Sequence, residues 1–205
     1  MTKILFFNGP PRCGKDTSAI FTMNRFSLGG FKVNEAGWRQ PDPSKFVRFD
    51  RFAMPIKRAF AGMVAADIDR FGNVEPYESA KGEVIPWLGV SYRQWQIDFS
   101  EKFLKGYGQD IFAKLFVQRN SDARCNAIVV PDSGFAEEVA PVAEHFGLDN
   151  ILLVRIHRPG FDFTGDSRSY LHGVVPNEVD VTNDNGVEEF HEKLKSVVGE
   201  FLRGS

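Results

Sequence analysis

Ile4 to Phe7 is an unbroken apolar run closed by Asn8, Gly9, Pro10 and Pro11, the pattern of a strand buried on both faces. A helix is predicted to start near Gly14 to Asp16 and to run to Leu28, where Gly29 and Gly30 stop it. Phe46 to Asp50 alternates apolar and polar positions and predicts a second strand. Pro55 suits the first turn of a helix over 52–66, where a missing N–H costs little. Residues 67–90 are rich in Gly, Pro and charge and predict an irregular excursion. Ser91 reads as the N-cap of a helix to about Lys105, and 109–120 reads as another. Ala127 to Pro131 is a third strand closed by Asp132, and the helix predicted over 136–146 ends at Gly147. Ile151 to Ile156 is a fourth strand, and 157–175, with Pro, Gly and charge, reads as a mobile loop. Val179 to Thr182 is a fifth strand. In the last helix, 187–202, Val187, Phe190, Leu194, Val197, Val198 and Phe201 fall on one stripe. Five strands separated by helices predict an α/β fold, a parallel sheet covered on both faces, within one domain over 1–205.

Composition narrows the partners. The chain has 205 residues, with 25 Lys plus Arg against 27 Asp plus Glu and a formal charge of −2. That balance argues against a dedicated nucleic-acid or membrane-surface binder. No apolar run approaches the ~18 residues a bilayer span needs, and the N-terminal apolar run is too short for a signal-peptide core. Cys13 and Cys125 form no CxxC pair, and the four histidines have no metal-ligand spacing. A reduced, cytoplasmic setting is the expectation.

The strongest chemical signal is Gly9-Pro10-Pro11-Arg12-Cys13-Gly14-Lys15-Asp16-Thr17, between a predicted strand and a predicted helix. That context is the one a phosphate-binding loop requires. Glycines let backbone N–H groups turn toward an anion, the helix N-terminus adds its dipole, and Lys15 reaches the phosphates. A plain Gly/Pro turn is the competing reading. Asp16 stands where Ser or Thr usually offers a hydroxyl to Mg²⁺, with Thr17 one place later. A carboxylate beside phosphates implies a cation between them, or else Asp16 merely favours the first helical turn. Cys13 at the helix start is a thiol made easier to ionise, or a small residue that fills the loop. Asp132 at the end of the third strand is a second candidate for Mg²⁺, with helix capping as its alternative. Arg155, Arg158 and Arg168 cluster in or beside the loop 157–175, where they would close over a γ-phosphate or form a solvated loop. Asp166 and Ser167 are placed to orient Arg168. Asp50, Arg51, Lys57 and Arg93 are candidates for an acceptor phosphate, and Trp87, Tyr92 and Trp95 for stacking a ring.

Taken together, GPPRCGKDTSA at 9–19, FAMPIKRAF at 52–60, SYRQWQ at 91–96, VVPDSGFAEEV at 129–139, ILLVRIHRPG at 151–160, GDSRSY at 165–170 and VTNDNGVEEF at 181–190 resemble the phage-type deoxynucleoside monophosphate kinases. That is a branch of the P-loop nucleoside monophosphate kinases, and the matches run in order over nearly the whole chain. The resemblance implies a three-layer P-loop NTPase fold with a helical acceptor-binding region over about 51–120 and a lid over 157–175. It implies ATP with Mg²⁺, a (deoxy)nucleoside 5′-monophosphate as acceptor, no nucleic-acid or membrane partner, a homodimer left open, and the cytoplasm of a host cell if the chain is phage-encoded. By resemblance, Lys15 would bind the donor phosphates, Asp132 would lie near Mg²⁺, Arg155, Arg158 and Arg168 would belong to the lid, and Arg51, Lys57 and Arg93 would face the acceptor. The residues themselves suggest Gly9, Arg12, Cys13, Gly14, Lys15, Asp16 and Thr17 for ATP, Asp16 or Thr17 together with Asp132 for the metal, Lys15 with the three arginines for catalysis, and Asp50 beside the acceptor cations. The family commonly has Asp-x-Arg where this chain has Asp132-Ser133-Gly134, so no arginine role carries over there. Segment 67–90 has no counterpart. A kinase of another small phosphorylated metabolite (the phosphomevalonate type) and a nucleotide-binding regulatory module are the rival expectations.

Overall fold

In a computed structural model, the residues described are 1–27, 31–33, 35, 39–42 and 45–204. In chain order the elements are β1 (Lys3–Asn8), α1 (Lys15–Phe26), β2 (Phe31–Val33), β3 (Arg39–Pro41), β4 (Val47–Phe49), α2 (Met54–Met63), α3 (Tyr92–Phe99) and α4 (Ile111–Asn120). They continue with β5 (Ala127–Val130), α5 (Val139–Phe146), β6 (Ile151–His157), β7 (Asn177–Thr182) and α6 (Val187–Arg203). Five strands form one sheet in the order β4-β5-β1-β6-β7, and every pairing in it is parallel. β2 and β3 form a separate antiparallel pair. The sequence analysis assigns that stretch no element, because three-residue strands carry too little alternation to be read.

Alternation along β1 assigns its side chains to two cores. Ile4 and Phe6 join Ile128, Val130, Ile151 and Leu153 under Phe52, Phe112, Phe116, Val139, Val142 and Phe146. Leu5 and Phe7 join Val129, Leu152, Val154 and Ile156 on the opposite face, under Ala19, Phe190, Leu194 and Val198 of α1 and α6. The sheet is therefore the middle of three layers, as its doubly apolar strands predict.

Several boundaries differ from the sequence expectations for identifiable reasons. The stop expected at Gly29 and Gly30 lies outside the described residues, and α1 ends at Phe26. Pro55 does fall in the first turn of α2, which is shorter than 52–66. Ser91 caps α3, its hydroxyl accepting the Gln94 N–H at 3.1 Å, but the helix continues past Phe99 only as a π turn over Ser100–Leu104. Gly147, at φ 85°, ends α5. Val187 departs from its expected stripe and is exposed, since α6 turns its apolar face inward only from Phe190 onward.

The excursion 67–90 has a small core of its own. Phe60, Ala61, Val74, Ile85 and Tyr92 bury one another, with the Phe60 ring 4.5 Å from Tyr92, 4.9 Å from Tyr77 and 4.9 Å from Trp95. Tyr92 and Trp95 are thus occupied by packing, whereas Trp87 is exposed.

Phe116 is fully buried between Phe52 and Phe146, at ring separations of 5.2 and 6.3 Å. Replacing Phe116 by Ala is expected to cost about 3–5 kcal/mol, read from urea unfolding.

Candidate functional site

Parallel pairing brings the ends of β4, β5, β1, β6 and β7 to one edge of the sheet, so the segments after Phe49, Val130, Asn8, His157 and Thr182 gather there. The chain leaves β1 toward the β4 edge and later builds outward to β7, so the winding reverses at β1. Open α/β sheets hold ligands in the crevice at such a reversal. A cleft of about 480 Å³ lies at that edge, lined by Arg12, Gly14, Lys15, Asp16, Thr17, Arg158, Asn183 and Val187 among others. That volume is within the usual range for small-molecule sites.

The loop 9–14 is held in a conformation that its glycines permit. Gly9 has φ 156°, and a Cβ there would stand 2.7 Å from the Ile156 carbonyl oxygen and 2.7 Å from Cys13 Sγ. Gly14 has φ 117° and caps α1, and it offers no side-chain acceptor to the first N–H groups of that helix. Arg12 is also left-handed, at φ 63°. Two donors brace this loop from outside. Asn183 Nδ2 donates to the Cys13 carbonyl at 2.9 Å, and Arg158 Nη1 to the Arg12 carbonyl at 2.9 Å. Asn183 is a residue the sequence analysis misses, because only the neighbouring ends of β6 and β7 bring it to the loop.

Lys15 is buried and turns back into the loop, where Nζ donates to the Gly9 carbonyl at 2.7 Å and the Pro10 carbonyl at 2.6 Å. Burial lowers its pKa from the usual lysine value. Burial likewise raises the Cys13 thiol, against the pull of Lys15, so the loop keeps Cys13 protonated and packed. Asp16 and Thr17 are exposed at the rim, and Asp16 Oδ1 accepts from Arg51 Nη2 at 2.5 Å.

The arginines expected in one cluster separate into two groups. Arg158 is exposed on the cleft wall, its guanidinium 4.6 Å over the Phe161 ring. Arg168 is bound by Asp166 through Nε at 2.8 Å and Nη2 at 2.6 Å, a pairing that raises its pKa. Lys15, Asp132 and Glu138 lie within its electrostatic reach. Arg155 instead points to β7. Its guanidinium donates to Asp180 at 2.9 and 2.8 Å, to Glu178 at 2.5 Å and to the Leu171 carbonyl at 2.9 Å. With those donors engaged and the side chain buried, Arg155 ties the sheet to the following loop. Arg155 and His157 hold the Asp180 carboxyl well below the usual carboxylate range.

The acceptor candidates also divide. Asp50 is buried, accepts the Arg51 N–H at 2.7 Å and the Asn120 amide at 2.6 Å, and faces Arg119 at 3.4 Å, so it joins the end of β4 to α4. Lys57 is buried on Glu78 at 2.6 Å, and Lys81, absent from the sequence-derived set, reaches the same carboxylate at 2.8 Å. Burial, then Lys81, lowers the Lys57 pKa; Lys81 and Lys57 lower that of Glu78 against its own desolvation. Arg93 is exposed on the first turn of α3.

Asp132 performs a capping role at a helix other than the one that follows it. Its two carboxylate oxygens accept the Phe52 and Ala53 N–H groups, each at 3.0 Å, at the entrance to α2. Beneath it, Glu138 is buried and accepts the Gly134 and Phe135 N–H groups at 3.1 and 3.2 Å. Desolvation and the Asp132 charge push its pKa up to about 8. Among the described residues, no three His, Cys, Asp or Glu side chains converge as a metal cage. Comparison with protein-family models and with curated proteins finds no match to this chain.

Two outcomes follow from these polar contacts. A Glu near 4.5 when unfolded and about 8 when folded binds an extra proton in the folded state between those values. Stability from Glu138 is complete below about pH 4.5 and declines as pH rises through 8, by up to about 1.4 kcal/mol per unit. Urea midpoints at pH 5.5, 7 and 8.5 should fall with pH more steeply in the wild type than in Glu138→Gln. Arg155→Ala strands two carboxylates and is expected to destabilise the fold by about 3 kcal/mol, less than a fully buried pair because Asp180 is half exposed. The same unfolding measurement at pH 7 reads it.

Proposed function

We propose that this chain transfers the γ-phosphoryl group of ATP to a (deoxy)nucleoside 5′-monophosphate, as a P-loop kinase that works with Mg²⁺. The observation that carries this reading is Lys15, held at the mouth of the cleft by the strained turn 9–14 with the N-terminus of α1 beside it. An anion entering there meets the first-turn N–H groups of α1, and Lys15 exchanges two loop carbonyls for phosphate oxygens. Arg158 on the cleft wall supplies further positive charge, and Arg168, held by Asp166 behind the cleft, acts electrostatically on Lys15. Phosphoryl transfer asks mainly for such positioning and charge stabilisation. An acceptor phosphate oxygen forms a bond to the γ-phosphorus as the bond to the β-phosphate bridging oxygen breaks, and ADP leaves.

Mg²⁺ is usually held by one or two protein oxygens together with phosphate oxygens. The Thr17 hydroxyl and the Asp16 carboxylate at the cleft rim fit that requirement, while Asp132 already serves two N–H groups and has only its remaining lone pairs to offer. When bound, the ion supplies neutralisation of charge on the phosphates. Arg51, Lys57 and Lys81 with Glu78 form the cationic group proposed for the acceptor phosphate.

One observation favours a second acceptor class. Tyr92 and Trp95, candidates for stacking a base, are packed in the core of the excursion, so the acceptor side is basic more than aromatic. A small phosphorylated metabolite would suit it.

Coupled ADP release across the common ribo- and deoxyribonucleoside monophosphates, with phosphomevalonate in the same panel, tests both. Turnover with a nucleotide supports the first reading, turnover with phosphomevalonate alone selects the second, and ATP binding without any turnover removes both. Lys15→Ala should lower kcat by about 10²–10³-fold, with the unfolding free energy from urea lowered by about 1–3 kcal/mol because two buried loop carbonyls lose their donor.

A further inference from the structure

Arg168 is held in place from both sides. Gly134 has an ordinary backbone conformation, so only space restricts it to glycine: a Cβ there would stand 2.5, 2.6 and 2.9 Å from Cδ, Cγ and Cβ of Arg168. These are stem atoms, and swinging the guanidinium would not relieve the clash. The head is fixed separately. Asp166 Oδ1 accepts the Arg168 backbone N–H at 3.0 Å as well as Nε, and Oδ2 accepts Nη2.

The segments on either side of Arg168 are joined by one buried side chain. Asn8, the last residue of β1, donates through Nδ2 to the Ser169 carbonyl at 3.0 Å and to the Ser133 carbonyl at 3.2 Å. Its Oδ1 accepts the Leu171 N–H at 3.1 Å. Asn8 has no solvent exposure, so these bonds have no competition from water. Tyr170 adds a bond to the Ile156 carbonyl at 3.0 Å, and Arg155 one to the Leu171 carbonyl. The end of the 157–175 segment is therefore attached to the sheet, whereas 158–162 is exposed.

We propose that Gly134 and Asn8 are positioning residues that hold Arg168 as a stationary cation at the carboxyl ends of β1 and β5, where it faces the transferring phosphoryl group without travelling on a closing loop. This rests on the phosphotransfer reading above. Glycine at 134 thereby gains a role: the side chain it lacks is the volume that the Arg168 stem fills.

The test is a double-mutant cycle of Gly134→Ala and Arg168→Gly, the latter removing all the clashing atoms. Each single variant should lower kcat by about 10²-fold, the scale of a displaced catalytic group, with KM for ATP raised severalfold to the same extent in both. The double variant should be no slower than the worse single by more than twofold. Gly134→Ala within twofold of wild type, or losses that multiply in the double variant, would overturn the proposal. If Gly134→Ala does not fold, recovery of folding in the double variant supports it and failure to recover overturns it. Tripolyphosphate binding by calorimetry separates this inference from the kinase reading. Should the wild type transfer phosphate to no acceptor, the kinase reading fails, and equal, non-additive weakening of tripolyphosphate by the two variants still sustains the positioning. Unchanged affinity in Gly134→Ala overturns it, and a wild type that binds no tripolyphosphate removes both.

Discussion

β1 is enclosed on every side. β5 and β6 pair along its two edges, and helices cover both faces, so Ile4 to Phe7 have no exposed surface. A strand in that position has one exit for whatever follows it, the carboxyl edge of the sheet. The turn 9–14 must reverse direction there within a few residues, under the last carbonyls of β6, and Gly9 is the position where the Ile156 carbonyl leaves no room for a side chain. The shape of the turn 9–14 is thus a consequence of burying β1 completely. The same enclosure makes Asn8 the one side chain of β1 that can join neighbouring loops through polar bonds in a site without water.

Burial also explains why several charged residues of plausible ligand type are engaged by the protein itself. A charge withdrawn from water needs a partner, and at the sheet edge each one has found a partner on a neighbouring segment. Asp50 engages Arg119 and Asn120, Arg155 engages Glu178 and Asp180, and Asp132 takes two N–H groups at the start of α2. These contacts connect β4 to α4, β6 to β7 and β5 to α2, so the charges that a sequence reading assigns to ligands partly serve to hold the edge in shape.

What could be read in advance was what is local. The apolar runs of β1, β5 and β6, the glycines of the turn 9–14, the Ser91 cap, Pro55 in the first turn of α2 and the inward stripe of α6 from Phe190 are each written in a few consecutive residues. What escaped depends on distant segments meeting. Asn183 reaches Cys13 across 170 positions, and Asn8 reaches Ser169 across 161. Glu138 looks like an ordinary first-turn acid until Asp132 and the surrounding core are placed around it. The separation of Arg155 from Arg158 and Arg168 follows from strand alternation together with the identity of the neighbouring strand, and only the alternation is visible in sequence.

The number of partners then distinguishes the charges on the cleft from those committed to the fold. In the Asp16–Arg51 pair the carboxylate is 61% exposed and the guanidinium 12%, and Arg51 keeps a bond to the Phe71 carbonyl at 2.8 Å when Asp16 lets go. Lys15 is held by two carbonyls of its own loop and, among the described residues, by no carboxylate. Breaking the Arg155 or Asp50 networks would strand charges with 8% and 4% side-chain exposure, a large cost. The contacts around the cleft are Asp16 with Arg51, Lys15 with its own loop and Arg158 with the Arg12 carbonyl. Among the described residues, charges at the cleft are held by few contacts and those behind it by several.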